Sequence, residues 1–350
     1  MAVLAGALAL CQASPLHARS DAEGTISAPG DGSVMGSWLR RSETATRDLT
    51  GFPADGEKVA RELYRLAGRL RPAVAAAKDG RAVVDAFRRV LLKEEGYRYD
   101  SVAGKPDNFL SGGVVARKQG NCLGMSLLWL SLAEQLGVPF HGAYVPGHCF
   151  VRYEGDGARL NVEFSASGAS WDDETYLGKF RLAERGPYLR SLSPPEMLGV
   201  FLKSVGAAYA GKGRHAEALA MYAEAERLYP GLPDVHYNAG VSLQRLGRPD
   251  EAIAKYRKAL SLDPNMAVAR GNLASSYAAC GRYDEGVSEY QKAVEAEPTS
   301  RQAREGLARA WFAKGDYPAA AREASMAEAL GCRFEPSMLE ALEPFRERRE

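Results

Sequence analysis

Four residues in the middle of the chain have the side chains needed for a cysteine nucleophile and its partners: Cys122, His148, Asn161 and Glu163. In acyl-transfer chemistry a thiolate attacks a carbonyl, an imidazole moves the proton, and a third polar group orients the imidazole. These residues follow one another in that order, but they are well separated along the chain. The fold must therefore bring them together.

Cys122 is predicted to lie on the first turn of a helix. The residues from Leu123 to Leu136 are mostly apolar, and Gly137 followed by Pro139 marks the end of the helix. Unpaired N–H groups and the positive end of the helix dipole favour a thiolate at such a position. The backbone N–H of Cys122 would help to hold an oxyanion there.

His148 begins a predicted strand. Turn signals separate three short strand-like runs, at residues 142–145, 148–153 and 159–164. Asn161 and Glu163 are two residues apart on the third strand, so they share a face, and either could orient the far ring nitrogen of His148. His141 is a weaker candidate for the base, since no partner is visible for it. Cys149 should point to the opposite face from His148 and is predicted to be a core residue.

A repeat of 34 residues runs from about residue 199 to 332. Glycine suits the tight turn between paired helices, and one column of the repeat is Gly213, Gly247, Gly281 and Gly315. A small-residue column is Gly206, Gly240, Ala274 and Ala308, and a tyrosine column is Tyr222, Tyr256 and Tyr290. These columns resemble the tetratricopeptide repeat family. The resemblance implies four helical hairpins that form a superhelix with a groove for a protein or peptide.

The middle of the chain resembles the transglutaminase-like superfamily over about residues 80–180. The stretches that carry the resemblance are residues 119–124, 145–148 and 160–163. It is closest to bacterial members with tetratricopeptide repeats after the core. The resemblance implies a papain-like α+β core followed by an all-α tetratricopeptide superhelix, with Cys122 as nucleophile and His148 as base. The third member is usually Asp; here the matching residue is Glu163, with Asn161 in reserve.

The transglutaminase-like family contains enzymes that cleave or transfer acyl groups at amide bonds, and also members that have lost activity. The sequence therefore leaves two functions open. One is a cysteine-dependent amide or isopeptide hydrolase or acyltransferase whose repeats bind a protein or peptide. The other is an inactive scaffold that mediates protein–protein interaction.

The predicted organisation is a signal segment at 1–18, a linker at 19–55, a transglutaminase-like domain at 56–185 and a repeat domain at 196–345. The apolar run from Ala2 to Cys11, followed by small and polar residues, is typical of a secretory signal. No Lys or Arg precedes that run, which departs from the usual pattern. We expect an exported protein that is periplasmic, secreted or lipid-anchored, although Leu10 is large for a lipoprotein site before Cys11. A cytoplasmic protein is the alternative.

Composition argues against several other classes of function. The chain has 45 Lys and Arg against 44 Asp and Glu, which gives no sign of a nucleic-acid partner. No run is long and apolar enough to predict an integral membrane span. A zinc site at Cys122, His148 and Cys149 would lack a fourth ligand. We therefore expect no metal and no cofactor, and nothing in the sequence indicates the oligomeric state.

Overall fold

The computed structural model describes residues 33–50, 55–102, 105–164, 171–182 and 186–346. The predicted signal segment lies outside the described residues, as do parts of the predicted linker. The loop at residues 165–170 lies outside them too. Among the helices that are described, none combines the length and the apolar character that a membrane crossing requires.

The first part of the described chain is a mixed core of helices and short strands. Its helices are α1 (Val34–Leu49), α2 (Gly56–Ala75), α3 (Gly80–Phe87), α4 (Ser111–Arg117), α5 (Cys122–Leu136) and α6 (Asp173–Phe180). Its strands are β1 (Arg98–Tyr99), β2 (Gln119–Gly120), β3 (Phe140–Val145), β4 (His148–Gly155) and β5 (Ala158–Val162). A π-helical segment, Arg88–Glu94, continues α3, and a 3-10 turn, Pro106–Asn108, precedes α4. The helix predicted to begin at Cys122 and the three predicted strands are confirmed.

The strands β3, β4 and β5 form an antiparallel sheet in that order. Val145 pairs with His148 across the tight turn between β3 and β4. Side chains alternate along a strand, so His148 and Cys149 point to opposite faces of the sheet. Cys149 faces α5, where its sulfur lies 3.9 Å from the hydroxyl of Ser126.

Helix α5 is apolar around nearly its whole circumference because the core encloses it. The fully buried Trp129 lies at its centre. The ring of Trp129 is 5.2 Å from that of Phe87, 5.7 Å from that of Phe140 and 5.4 Å from that of Phe164, measured between centroids. This packing holds α5, and with it Cys122, against the sheet.

Helix α1 occupies residues that the sequence analysis placed in a linker. Its side chains Val34, Trp38, Ala45 and Leu49 recur at helical spacing and are buried. The indole nitrogen of Trp38 donates a hydrogen bond of 2.9 Å to the carbonyl oxygen of Phe109. The abundant polar residues between these apolar positions hide the periodicity, and burial of one face makes this segment a helix of the core.

The second part of the described chain is a series of antiparallel helical hairpins. The helices are α7 (Pro194–Gly211), α8 (His215–Leu228), α9 (Pro233–Arg245), α10 (Pro249–Leu262), α11 (Ala267–Ala279), α12 (Tyr283–Ala296), α13 (Arg301–Lys314) and α14 (Tyr317–Ala329). A final helix, α15 (Pro336–Leu342), packs on α14 through the buried side chains of Met338 and Leu342. The four hairpins predicted from the 34-residue repeat are confirmed.

The small-residue column and the tyrosine column meet inside the hairpins. A Cβ atom added to Gly206 would lie 2.5 Å from Cε1 of Tyr222, and one added to Gly240 would lie 2.6 Å from Cε1 of Tyr256. Both distances are shorter than a van der Waals contact allows. In these two hairpins, glycine is therefore required where the tyrosine ring of the second helix packs against the first.

The first hairpin packs directly on the core. Met197 of α7 fills the space beside Gly142 of β3, where an added Cβ would lie 2.6 Å from its sulfur. The backbone N–H of Leu192 donates to the carbonyl of Gly142 at 2.8 Å. The hydroxyl of Tyr209 donates to Asp48 of α1 at 2.8 Å. Strand, helix and connecting segment thus fix α7 against the core.

We expect Gly240→Ala to lower the free energy of unfolding of the repeats by about 1–3 kcal/mol, because the new methyl group would overlap the buried ring of Tyr256. Gly271→Ala in α11 is the matched control, since nothing lies within 4 Å of its added Cβ. That change should be neutral or stabilise by up to about 1 kcal/mol through helix propensity. Urea denaturation followed by circular dichroism measures both; equal effects would contradict the packing explanation.

Candidate active site

The first turn of α5 is built around close backbone packing. The side chain of Asn121 caps the helix by accepting a hydrogen bond of 3.0 Å from the N–H of Gly124. The N–H of Asn121 in turn donates to the carbonyl of Asn108 at 2.9 Å. A Cβ atom at Gly124 would collide with that same carbonyl. The residues around Cys122 therefore anchor the first turn of the helix. The thiol of Cys122, the first residue of α5, is half-buried.

His148 is held by a carboxylate. Its Nε2 lies 2.9 Å from Oε1 and 3.1 Å from Oε2 of Glu163. Glu163 is fully buried and His148 is largely so. This contact makes Nε2 the nitrogen that donates to the carboxylate, and it leaves Nδ1 as the ring nitrogen for proton exchange elsewhere.

Helix α6 covers the face of the sheet that carries His148. The hydroxyl of Tyr176 donates a second hydrogen bond to Glu163. The ring of Tyr176 stacks on that of Phe150 at 4.1 Å, and the ring of Phe180 stacks on that of His148 at 5.5 Å, between centroids. The imidazole thus has a carboxylate at one edge and an aromatic ring over one face, so its orientation is fixed.

Cys122, His148 and Cys149 line the same cavity, and both neighbours act on the Cys122 thiol. The hydrogen bond from the Cys149 thiol, together with His148, holds the pKa of Cys122 well below its ordinary value, against the opposing effect of burial. Burial raises the pKa of Cys149, as does the neighbouring Cys122. Cys149 therefore stays protonated and donates, while Cys122 is the sulfur that ionises.

The charge on His148 follows from the same contacts. Burial lowers the pKa of His148, but the hydrogen bonds to Cys122 and Glu163 outweigh it and raise the pKa to about 9. Below that pH the imidazolium form is favoured. A thiolate beside an imidazolium is the charge state in which a cysteine attacks a carbonyl and the histidine then protonates the leaving group.

Asn161 shares the face of Glu163, as the strand period predicts, but it lies against other partners. Its Oδ1 accepts from Nε of Arg152 at 2.7 Å, and its Nδ2 donates to Asp173 at 3.1 Å. The guanidinium of Arg152, with no exposed surface, also pairs with Asp173 at 2.7 Å. Asn161 thus joins a buried ion pair that fixes α6 to the sheet, whereas Glu163 is the residue beside His148.

A cavity of about 660 Å³ opens onto the thiol and the imidazole. Tyr99 and Tyr144 form part of its wall beside Cys122 and His148. His141, the alternative histidine, is not among the residues that line it. In the part of the chain that the structure describes, no cluster of three or more His, Cys, Asp or Glu side chains could hold a metal ion.

Comparison with known families identifies both parts of the chain. Residues 57–185 match the transglutaminase-like superfamily, and residues 233–266 and 272–331 match the tetratricopeptide repeat. The chain therefore joins a transglutaminase-like domain to tetratricopeptide repeats, the architecture that the sequence motifs predicted. The hairpin α7–α8 lies before the matched repeats and has the same form.

The solved structures that are similar to this chain include a MamA protein and two TPR domains. MamA from Desulfovibrio magneticus RS-1, from residue 41 to its end, is 23% identical, with 39% of this chain and 75% of that chain covered and a TM-score of 0.37. The first TPR domain of human RPAP3 is 21% identical, with 35% and 95% covered and a TM-score of 0.34. The second TPR domain of human RPAP3, solved with the HSP70 peptide SGPTIEEVD, is 18% identical, with 33% and 97% covered and a TM-score of 0.33. No curated protein matches the chain.

Sequence reasoning missed the residues of the site that come from distant elements. Tyr176 and Phe180 are one turn apart on a short helix capped by Asp172. Aromatic residues at this spacing indicate a buried helix face, but nothing in the sequence shows that the face covers His148. The contact between Cys149 and Cys122 was missed for a similar reason, since alternation along β4 predicts only that Cys149 points into the core.

We expect Glu163→Gln to lower the pKa of His148 from about 9 by about one pH unit. A carboxylate stabilises the imidazolium, so a neutral amide in its place lets the ring lose its proton at lower pH. The shift is measured by NMR titration of the His148 ring protons. Glu154→Gln makes the same change at the far end of β4, beside Arg159; an equal fall there would refute a local effect of Glu163.

We expect Asp173→Ala to lower the free energy of unfolding of the core by about 3 kcal/mol, because it leaves the fully buried guanidinium of Arg152 without a carboxylate. Glu174→Ala, at an exposed position next to it on α6, should change stability by less than about 0.5 kcal/mol. Denaturant titration followed by tryptophan fluorescence compares the two. Similar stabilities would show that the ion pair does not hold α6 in place.

Proposed function

We propose that this protein is a cysteine-dependent enzyme that hydrolyses or transfers an acyl group at an amide or isopeptide bond. The observation that carries the proposal is the arrangement of three groups, of which Cys122 and His148 line one cavity and Glu163 lies behind His148. The thiol of Cys122 lies beside the imidazole of His148, and the imidazole is held by the buried carboxylate of Glu163. This is the sequence of groups that nucleophilic acyl transfer requires.

In the proposed reaction the thiolate of Cys122 attacks the carbonyl carbon of the amide. The N–H groups at the start of α5, including that of Cys122, are proposed to stabilise the oxyanion that forms. The imidazolium of His148 gives its proton to the departing amine as the C–N bond breaks. The product of this half-reaction is a thioester on Cys122 and a free amine.

The second half-reaction reverses the proton transfer. His148, now neutral, removes a proton from water or from an acceptor amine, and the resulting nucleophile attacks the thioester carbonyl. The thiolate leaves, and His148 keeps the proton, which restores the starting charge state. Water gives hydrolysis, and an amine gives a new amide bond.

Glu163 has the role of orienting residue in this proposal. Its bond to Nε2 leaves Nδ1 to exchange a proton with the thiol and stabilises the imidazolium that forms during catalysis. A glutamate in place of the more usual aspartate reaches the imidazole because Glu163 lies just beyond the end of β5. Asn161 is committed to Arg152 and Asp173, which favours Glu163 for this role.

The repeats are proposed to bind the protein or peptide that supplies the acyl group. Stacked hairpins of this kind form an extended groove, and short peptides are a common ligand of such grooves. Binding energy gained along the groove would hold the reactive amide at Cys122 and lower the entropic cost of reaching the attacking geometry.

The test is the pH dependence of Cys122 alkylation by iodoacetamide. We expect the wild-type thiol to react at a pH well below the ordinary thiol value of about 8.5. His148→Ala should move the midpoint up toward that value and slow the reaction at pH 6 at least about tenfold, because the thiolate loses its imidazolium partner.

His141→Ala is the control, since His141 lies on β3 away from the cavity. Its alkylation profile should match the wild type. If Cys122 does not react, or titrates identically in the wild type and His148→Ala, the core is an inactive scaffold and the repeats carry the function.

A further inference from the structure

The repeat array forms one wall of the candidate active site. The cavity that contains Cys122 and His148 is closed on its other side by α7, and Asn238 of α9 also lines it. The lining residues of α7 recur at helical spacing along a single face: Val200, Lys203, Ser204, Ala207, Ala208 and Gly211. Most of these side chains are small, which leaves room between the helix and the thiol.

The charge of this cavity is one-sided. Two lysines, Lys203 and Lys212, line it, whereas no aspartate or glutamate is among the described residues that do so. Among the residues that line the cavity, the thiolate of Cys122 and the imidazolium of His148 offset each other, and the carboxylate of Glu163 lies behind the imidazole, outside the lining. The two lysines therefore make the wall of the cavity positive, and a partly enclosed space strengthens the field of such a wall.

Lys203 is the better placed of the two cations. Its ammonium donates a hydrogen bond of 3.0 Å to the hydroxyl of Tyr144 and lies 4.7 Å from the centre of that ring. Asp234 lies near the same hydroxyl, but neither it nor any other described carboxylate forms an ion pair with Lys203. The only described partner of the Lys212 ammonium is the carbonyl of Leu49, at 2.5 Å.

A half-buried ammonium group that binds only neutral groups is incompletely stabilised. Many other basic side chains of this chain do have carboxylate partners, such as Lys255 with Glu226 at 2.6 Å. A carboxylate brought in by a substrate would complete the coordination of Lys203. It would do so within the same cavity as the thiol, so this anion would lie close to the carbonyl under attack.

We infer that the acyl substrate is an acidic peptide, with a carboxylate close to the reactive amide that binds Lys203 and, more weakly, Lys212. This inference rests on the proposed function, since it names the substrate class of the same site. The repeat helix then selects the substrate at the reaction centre as well as along its groove. The carboxylate is either an acidic side chain or the free end of a peptide.

The first test compares two alkylating reagents that differ in charge. Iodoacetate carries the carboxylate and iodoacetamide is its neutral counterpart, so the ratio of their rates at Cys122 measures attraction of an anion into the cavity. Peptide mass mapping assigns the modified cysteine. The imidazolium of His148 also attracts iodoacetate, and the informative quantity is therefore the change in this ratio between variants.

We expect Lys203→Met to lower the iodoacetate-to-iodoacetamide ratio at least about fivefold, and Lys203→Arg to preserve it. Lys212→Met should give a smaller fall, and added salt should reduce the wild-type ratio. Lys255→Met, which removes a lysine outside the cavity, is the control and should leave the ratio unchanged.

The second test distinguishes the two sources of the carboxylate. Protection of Cys122 from iodoacetamide is measured with acetyl-Ala-Glu-amide, with acetyl-Ala-Gln bearing a free terminus, and with neutral acetyl-Ala-Gln-amide. Protection by the first indicates an acidic side chain, and protection by the second indicates a peptide end. Equal protection by all three would overturn the inference.

The two proposals fail in different ways. If iodoacetamide still labels Cys122 at low pH but Lys203→Met leaves the ratio unchanged, the acidic-substrate inference is wrong and the proposed chemistry stands. If Cys122 resists both reagents in the wild type, the proposed function fails and the inference fails with it.

Discussion

The carboxylate of Glu163 has no exposed surface, and the candidate site is organised by the need to stabilise it. An unpaired carboxylate in the protein interior is costly by several kcal/mol. Nε2 of His148 and the hydroxyl of Tyr176 both donate to it. Each donor belongs to a different element, so the buried charge connects the end of β5 to β4 on one side and to α6 on the other. Orientation of the imidazole follows from this arrangement.

The Cys122 thiol interacts with the same imidazole, but other contacts fix its position. Cys122 is placed by the cap of α5, and Cys149 reaches it from the face of β4 that packs against that helix. A protonated thiol and an imidazole therefore reach one sulfur from the first two residues of a single strand, which begins beside the first turn of α5. Both stabilise the thiolate, which compensates for its partial removal from water.

The boundary between the two sequence-defined regions is not a boundary of the site. Helix α7 is the first helix of the repeat array by its spacing, yet Met197 packs against β3 and Lys203 lines the cavity of Cys122. The contact between Tyr209 and Asp48 ties the same helix to α1. Packing of this extent makes the repeats a structural part of the candidate active site rather than a tethered binding module. It also explains why the lysines of the cavity come from the repeats and the nucleophile comes from the core.

The sequence alone determined the local elements and the types of residue that carry chemistry. The glycine, small-residue and tyrosine columns predict the hairpins, because a tight turn and a close helix contact admit few residue types. The helix beginning at Cys122 and the strand beginning at His148 follow from capping and turn signals in the same way. Alternation along the strand places Asn161 and Glu163 on one face but does not show which of them contacts His148. Tertiary structure decided that Glu163 contacts His148 and that Asn161 contacts Arg152. It also decided that α1 is a core helix, that Tyr176 and Phe180 cover the imidazole, and that Lys203 shares a cavity with Cys122. These are contacts between residues far apart in the chain, and they depend on the packing of whole elements, about which local periodicity and capping carry no information.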